Sequence, residues 1–225
     1  MKKYFAPPEK PKPLLLTHGV ASDYFLIAVM LLLIIIIALV YIFNNQSIDQ
    51  KIFDVIAPDI SEGGIRFMQS VSMLGNHLFL IPVSLLFILY FFLINKKWMC
   101  IRMAVVMLSS ILLLFTLKNL IQRDRPASPF VEGITNFGFP SGHAFMSVTF
   151  YGLLIWYAAT YLKNKWIQYF IILLLLLLII LIGYSRIYLR VHYTTDVIAG
   201  YCFSYIWLIL YTRLIDKKEK AEKPI

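Results

Sequence analysis

Ser185-Arg186-Ile187-Tyr188-Leu189-Arg190-Val191-His192-Tyr193-Thr194-Thr195-Asp196 sets a serine, two arginines, a histidine and an aspartate between two apolar runs, Trp166–Tyr184 and Val197–Tyr211. The runs point to a membrane, since about 20 apolar residues at ~1.5 Å rise cross the ~30 Å hydrocarbon core. The polar stretch between them needs a reason. An ionisable group costs roughly 2.5–3.5 kcal/mol at a helix centre and persists where it lines a wet cavity, pairs or binds something. We read the stretch as half of an active site. On a helix His192 and Asp196, four apart, share a face, so the carboxylate reaches one imidazole nitrogen and leaves the other free to act.

Outward from this stretch the chain repeats the same alternation. With 60% hydrophobic and 15% charged residues in 225, the composition excludes a water-soluble globule. Spans are expected at 24–43, 78–94, 98–117, 143–162, 166–184 and 197–211, an all-α integral membrane bundle of six transmembrane helices. The first is too long for a signal-peptide core and reads as an anchor. Arg102 can snorkel from the third span. Residues 49–76 read as a polar loop with a surface-lying piece interrupted by Gly63-Gly64, and Gly152 and Gly200 as helix-packing positions. Asn45-Gln46-Ser47 fits the glycosylation triplet, a match too short to carry weight. Cys100 and Cys202, in or beside different runs, imply neither a disulfide framework nor a zinc site.

The net charge of +9 lies in short pieces between spans, where topology accounts for it without nucleic acid. The termini and the two loops on their side hold 14 of the 21 lysines and arginines. Both termini are therefore expected in the cytoplasm, with 118–141 and 185–196 meeting at the outer face. The expected organisation is a Pro/Lys-rich cytoplasmic tail at 1–23, the six-helix domain at 24–214 with the site at its outer face, and a charged cytoplasmic tail at 215–225.

The other half of the site lies between the third and fourth spans. Pro140-Ser141-Gly142-His143 opens a span: Ser141 can cap, Gly142 lets the backbone approach, and the helix N-terminus suits an anion. Lys118 closes the preceding span and Arg125-Pro126 follows, so a lysine point charge and an arginine fork can converge on one phosphate, with Arg186 adding a second fork. Three cations and a helix N-terminus balance the roughly −1.5 to −2 charge of a phosphate monoester.

Lys118-x6-Arg125-Pro126, Pro140-Ser141-Gly142-His143 and Ser185-Arg186-x5-His192-x3-Asp196 resemble, in order, the three signature motifs of the membrane-bound type-2 phosphatidic acid phosphatases, the bacterial-type lipid phosphatases. The resemblance implies a phosphatase without metal or cofactor, acting on lipid phosphates or diphosphates of the undecaprenyl diphosphate, phosphatidylglycerophosphate or phosphatidic acid class. It implies that His192 attacks phosphorus and forms a phosphohistidine, with Asp196 fixing its tautomer. His143 is then the acid for the leaving oxygen and the activator of the hydrolytic water. Lys118, Arg125, Ser141, Gly142 and Arg186 form the phosphate cradle. A bacterial inner membrane is the expected location, with the site toward the periplasm or exterior and lipids as the partners. The sequence is silent on oligomeric state.

Two positions depart from the family's commonest pattern: Arg190, where many relatives have glycine, and Thr194, often proline. Arg190 is either a fourth cation at the site or, the reading we favour, a contact to lipid headgroups. Arg123 and Asp124 read as a surface pair, and His18 and His77, without partner motifs, as locally satisfied residues. A lipid A phosphatase or lipid phosphotransferase would use the same residues, while the intact histidines argue against a silent transporter or scaffold.

Overall fold

The computed structural model describes residues 20–43, 46–133 and 136–221, and the regular elements among them are all helices. Segment 1–13, His18, Asn45 and the last residues of the charged tail, 222–225, lie outside the described residues. Helix α1 (Val20–Ile37) runs on as a π-helical turn (Ala38–Ile42). Two short helices follow, α2 (Ser47–Ile56) and α3 (Glu62–Met73). Then come α4 (His77–Leu93), α5 (Lys97–Ile121), α6 (Gly142–Tyr161), α7 (Lys165–Tyr188) and α8 (Thr194–Ala221). Six stretches are long and apolar enough to cross a membrane, and they coincide with the six expected spans, the second taking in α3 as well as α4.

Burial is uneven in the way a bilayer dictates. Of the span windows, that on α6 is 72% buried, against 17% for those on α1 and on the α3–α4 stretch. The exposed residues of the peripheral helices are largely apolar, Leu, Ile and Phe foremost, stable against lipid and not against water. Helix α6 is the hub: Phe145, Phe150 and Leu153 pack with Leu80 of α4, Met103 and Val106 of α5, Ile182 of α7 and Leu208 of α8. Thr149 Oγ1 lies 2.8 Å from Ser204 Oγ and 3.3 Å from Ser110 Oγ, a hydroxyl cluster that joins three helices where lipid supplies no partner. Gly152 and Gly200 do sit at the α6–α8 contact, where a Cβ would meet Leu208 and the Ser141 carbonyl.

The segment between the first two long helices is more regular than a polar loop. Ser61 caps α3, accepting from the Gly64 N–H at 3.1 Å. Gly63 and Gly64 fall in the first turn, where amides lack intrahelical partners and flexibility costs least. The Tyr188 hydroxyl of α7 donates to the Asp59 carbonyl at 2.9 Å and accepts from the Ser61 N–H at 3.2 Å, and a Cβ on Gly64 would collide with it. The glycine that argues against a helix in the sequence is what lets α3 dock on α7.

Arg102 does not snorkel. Its side chain is 1% exposed, its Nη2 lies 2.7 Å from Asp216 Oδ1, and its guanidinium stacks on Trp156 at 4.1 Å. Nearby, Arg213 Nη2 donates to Asp23 at 2.5 Å and joins α8 to α1. These pairs gather at the end of the bundle bearing both termini, with Lys118 about 24 Å further along α5. Arg102→Ala should cost about 3 kcal/mol, since it strands Asp216 and opens the packing on Trp156. Thermal unfolding in detergent should show the midpoint lowered by several degrees, with turnover per folded molecule unchanged.

Candidate active site

The three motif segments come together at the other end of the bundle. Lys118 lies in the last turn of α5 and Arg125 on the following loop. Ser141 is the N-cap of α6, with Gly142 and His143 in its first turn. Arg186 ends α7, His192 sits in the turn between α7 and α8, and Asp196 opens α8. Lys118, Arg125, Gly142, His143, Arg186 and His192 line one cavity of about 810 Å³. Ser141 and Asp196 stand behind this wall, both fully buried. The Ser141 N–H donates to the Asp196 carbonyl at 3.0 Å, which locks the start of α6 to the start of α8.

His192 and Asp196 do not share a helical face, because His192 precedes α8. The turn aims His192 Nδ1 at Asp196 Oδ2, 3.6 Å away, too long for a hydrogen bond. Asp196 Oδ2 accepts instead from the Tyr193 N–H at 2.9 Å. On the other edge of the ring Nε2 lies 3.1 Å from Arg125 Nη1. A guanidinium only donates, so Nε2 is the acceptor and Nδ1 carries the proton that faces the carboxylate. Burial first, then Arg125, Arg186 and Lys118, hold the His192 pKa well below the ordinary 6.5. The ring is neutral with its lone pair toward the cavity.

The cations Lys118, Arg125 and Arg186 are held by backbone carbonyls and neutral side chains rather than by acids. Arg125 donates to the Val191 carbonyl at 2.6 Å, the Asn136 carbonyl at 2.7 Å and Asn136 Oδ1 at 2.5 Å. Burial lowers its pKa, a shift Asp196 opposes. Lys118 Nζ donates to the Phe137 carbonyl at 2.5 Å, and Arg186 Nη1 to Ser72 Oγ. The Ser141 hydroxyl makes no cap bond: its Oγ, like Arg186 Nε and His192 Nδ1, is buried without a hydrogen-bond partner. Arg66, Lys118, Arg125 and Arg186 line the cavity with His77, His143 and His192, and among the described residues no carboxylate lines it. Such a surface is built for an anion.

The sequence reading missed four contributors. His77 and Arg66 both line the cavity, with Gln69, Ser70 and Met73 from the same face of α3. The i, i+3, i+4, i+7 spacing of 66, 69, 70 and 73 was a signal, obscured by the glycines before it. Arg123 is no surface residue: its side chain is 9% exposed and joins Asp196 Oδ1 at 2.5 Å to Asp49 Oδ2 at 3.0 Å. Asp49, fully buried, carried no local signal, because its partners lie 74 and 146 residues away. Arg190 is not a cavity cation; it stacks over Phe53 at 5.6 Å and Phe130 at 5.9 Å. Its φ of +51° is a left-handed conformation that glycine adopts at least cost.

The family model described as PAP2 superfamily matches residues 99–220. Phosphatidylglycerophosphatase B of Bacillus subtilis (strain 168) is 30% identical over 157 residues, 68% of this chain and 75% of that protein. The crystal structure of the transmembrane PAP2 type phosphatidylglycerolphosphate phosphatase from Bacillus subtilis superposes with a TM-score of 0.79 at 25% identity, covering 89% of this chain and all of that one. LpxE of Aquifex aeolicus shares the fold, with a TM-score of 0.58 at 23% identity over 74% of this chain and 96% of that one. With six apolar spans and the three motifs closed around one cationic cavity, this chain belongs to the PAP2 superfamily, as a membrane-embedded phosphatase of its lipid phosphatase group.

Proposed function

We propose that this protein hydrolyses a lipid phosphate monoester of the phosphatidylglycerophosphate class at the outer surface of a bacterial cell membrane, through a phosphohistidine. The observation that carries the reading is the cavity wall itself: among the described residues, four cations and three histidines without a carboxylate. His192 Nε2 attacks phosphorus while Asp196 supports the imidazolium that forms. His143 protonates the departing alkoxide. The same ring then takes a proton from the water that cleaves the phosphorus–nitrogen bond and releases inorganic phosphate. Lys118, Arg125 and Arg186, with the Gly142 backbone and Ser141 behind it, hold the equatorial oxygens. A wall of cations disfavours a resident metal cation, so the reaction runs without one.

The lipid moiety has its own wall. Ile81 of α4 and Ile111, Leu114 and Phe115 of α5 continue the cavity, and Ile81, Ile111 and Phe115 are exposed on the bundle's outer surface, where acyl chains lie. The polar face of α3 opposes them. The two Bacillus subtilis proteins carry the name of phosphatidylglycerophosphate phosphatases, which supports that class over a polyprenyl diphosphate or phosphatidic acid. The excess of basic residues on the other side supports cytoplasmic termini, with 1–23 and 215–225 as tails of a 24–214 domain. Reporter fusions at each terminus and in loop 127–133 test that orientation.

Purified protein with chelator present should release phosphate from phosphatidylglycerophosphate with the highest kcat/KM in a panel that includes phosphatidic acid, undecaprenyl diphosphate and lipid A. Activity abolished by chelator would overturn the metal-free assignment, and another lipid leading the panel would overturn the substrate class. Arg66→Ala, on the polar face, should raise KM for the preferred lipid about 5-fold with kcat little changed, the mark of an interaction equal in ground and transition states.

A further inference from the structure

Behind His192 stands a closed ionic network of four groups. Asp49 of α2 accepts from Arg123 Nη2 at 3.0 Å, from the Thr195 N–H at 3.0 Å and from Thr195 Oγ1 at 2.7 Å. Arg123 Nη1 donates to Asp196 Oδ1 at 2.5 Å and to Thr195 Oγ1 at 2.7 Å, and its guanidinium lies on the Tyr193 ring at 4.3 Å. The two oxygens of Asp196 thus divide their work: Oδ1 belongs to Arg123, and Oδ2 faces His192 Nδ1 and the Tyr193 N–H. Neither Asp49 nor Arg123 is among the residues that line the cavity.

We infer that the Asp49–Arg123 bridge is a positioning device that holds Asp196 in place and sets the charge behind the nucleophile, an inference that rests on the phosphohistidine reading. The charge count gives the reason. Asp49, Arg123 and Asp196 sum to one negative charge beside a neutral His192. When Nε2 bonds to phosphorus and the alkoxide leaves with the proton from His143, the imidazole keeps its Nδ1 proton and becomes a cation. The four groups, none with a side chain more than 9% exposed, are then neutral together. Without Asp49 the cation of Arg123 would cancel Asp196 and leave the imidazolium unmatched. Without Arg123 two buried carboxylates would repel, and Asp196 would lose the contact that fixes its carboxylate plane. The bridge favours the covalent intermediate over the resting enzyme, so it acts on kcat and not on lipid binding.

The test is a mutant cycle on the full-length protein in detergent with phosphatidylglycerophosphate, each variant normalised to folded material by size-exclusion and thermal unfolding. Arg123→Gln should lower kcat by roughly 10- to 100-fold, the range for partners that orient an imidazole, with KM held within about 3-fold. Arg123→Lys, which keeps the charge and loses the fork, should recover part of that loss. Asp49→Asn should lower kcat in the same direction by a smaller factor. In an Asp196→Asn background Arg123→Gln should cost less than about 3-fold more, because the two act as one unit. Additive losses in the cycle, or a rise in KM matching the fall in kcat/KM, would overturn the positioning role. A wild-type protein inert on every lipid phosphate, or a His192→Ala variant that still turns over, would instead bring down the phosphohistidine reading.

Discussion

His192→Ala should abolish phosphate release from the preferred lipid, with kcat falling by at least ~10⁴-fold, the scale on which removal of a covalent nucleophile is felt. The variant should remain folded, because the cost of a buried histidine in a turn is local. With substrate labelled at the terminal phosphate, rapid quenching at alkaline pH should capture label on the wild-type protein and none on the variant. The pH dependence follows from the environment of the ring. Burial and the three cations depress its pKa well below 6.5, and the attacking form is the neutral one. Lowering the pH through 6.5 therefore leaves the nucleophile unprotonated, and the acid limb of kcat/KM set by this group should lie well below that value. An acid limb at or above 6.5 that His192 sets would refute the depressed pKa of the ring, and labelled protein in the alanine variant would refute His192 as the nucleophile.

His143→Gln should lower kcat by roughly 10²- to 10⁴-fold, the usual worth of a positioned acid. The loss should depend on the leaving group. An aryl phosphate whose phenolate departs without a proton should form the phosphoenzyme at a rate near that of the wild type. The alkyl ester of a lipid should not. Because the proposed second task of His143 is to activate water, the aryl substrate should give a burst of phenolate followed by a slow steady state. Equal losses on both substrates, with no burst, would remove His143 from the acid role and leave it a ligand of phosphate.

Six spans, their places and the all-helical class were legible in the sequence, because spanning a bilayer demands a run of apolar side chains and little else. The motif residues stood out for a different reason: all but Gly142 carry a polar side chain in a place where lipid makes polarity costly. Where the local pattern misled, a partner distant in sequence was responsible. Gly64 looked like a helix breaker until the Tyr188 hydroxyl occupied the space of its Cβ. Arg102 looked free to snorkel until Asp216 and Trp156 drew it inward. Arg123 looked like half of a surface pair with its neighbour Asp124, whereas its partners are Asp49 and Asp196.

The sequence by itself determined that this is a six-helix membrane protein and which motif residues are out of place in lipid, since hydrophobic length and the cost of charge in lipid are properties of single segments. The tertiary structure alone decided which way His192 points, that Nε2 and not Nδ1 carries the lone pair, and that Arg66 and His77 join the cavity wall. It alone decided that Asp49 and Arg123 stand behind Asp196. Those are statements about pairs. A hydrogen bond or an ion pair is a relation between groups brought within ~3 Å of each other, and distance along the chain carries no record of it.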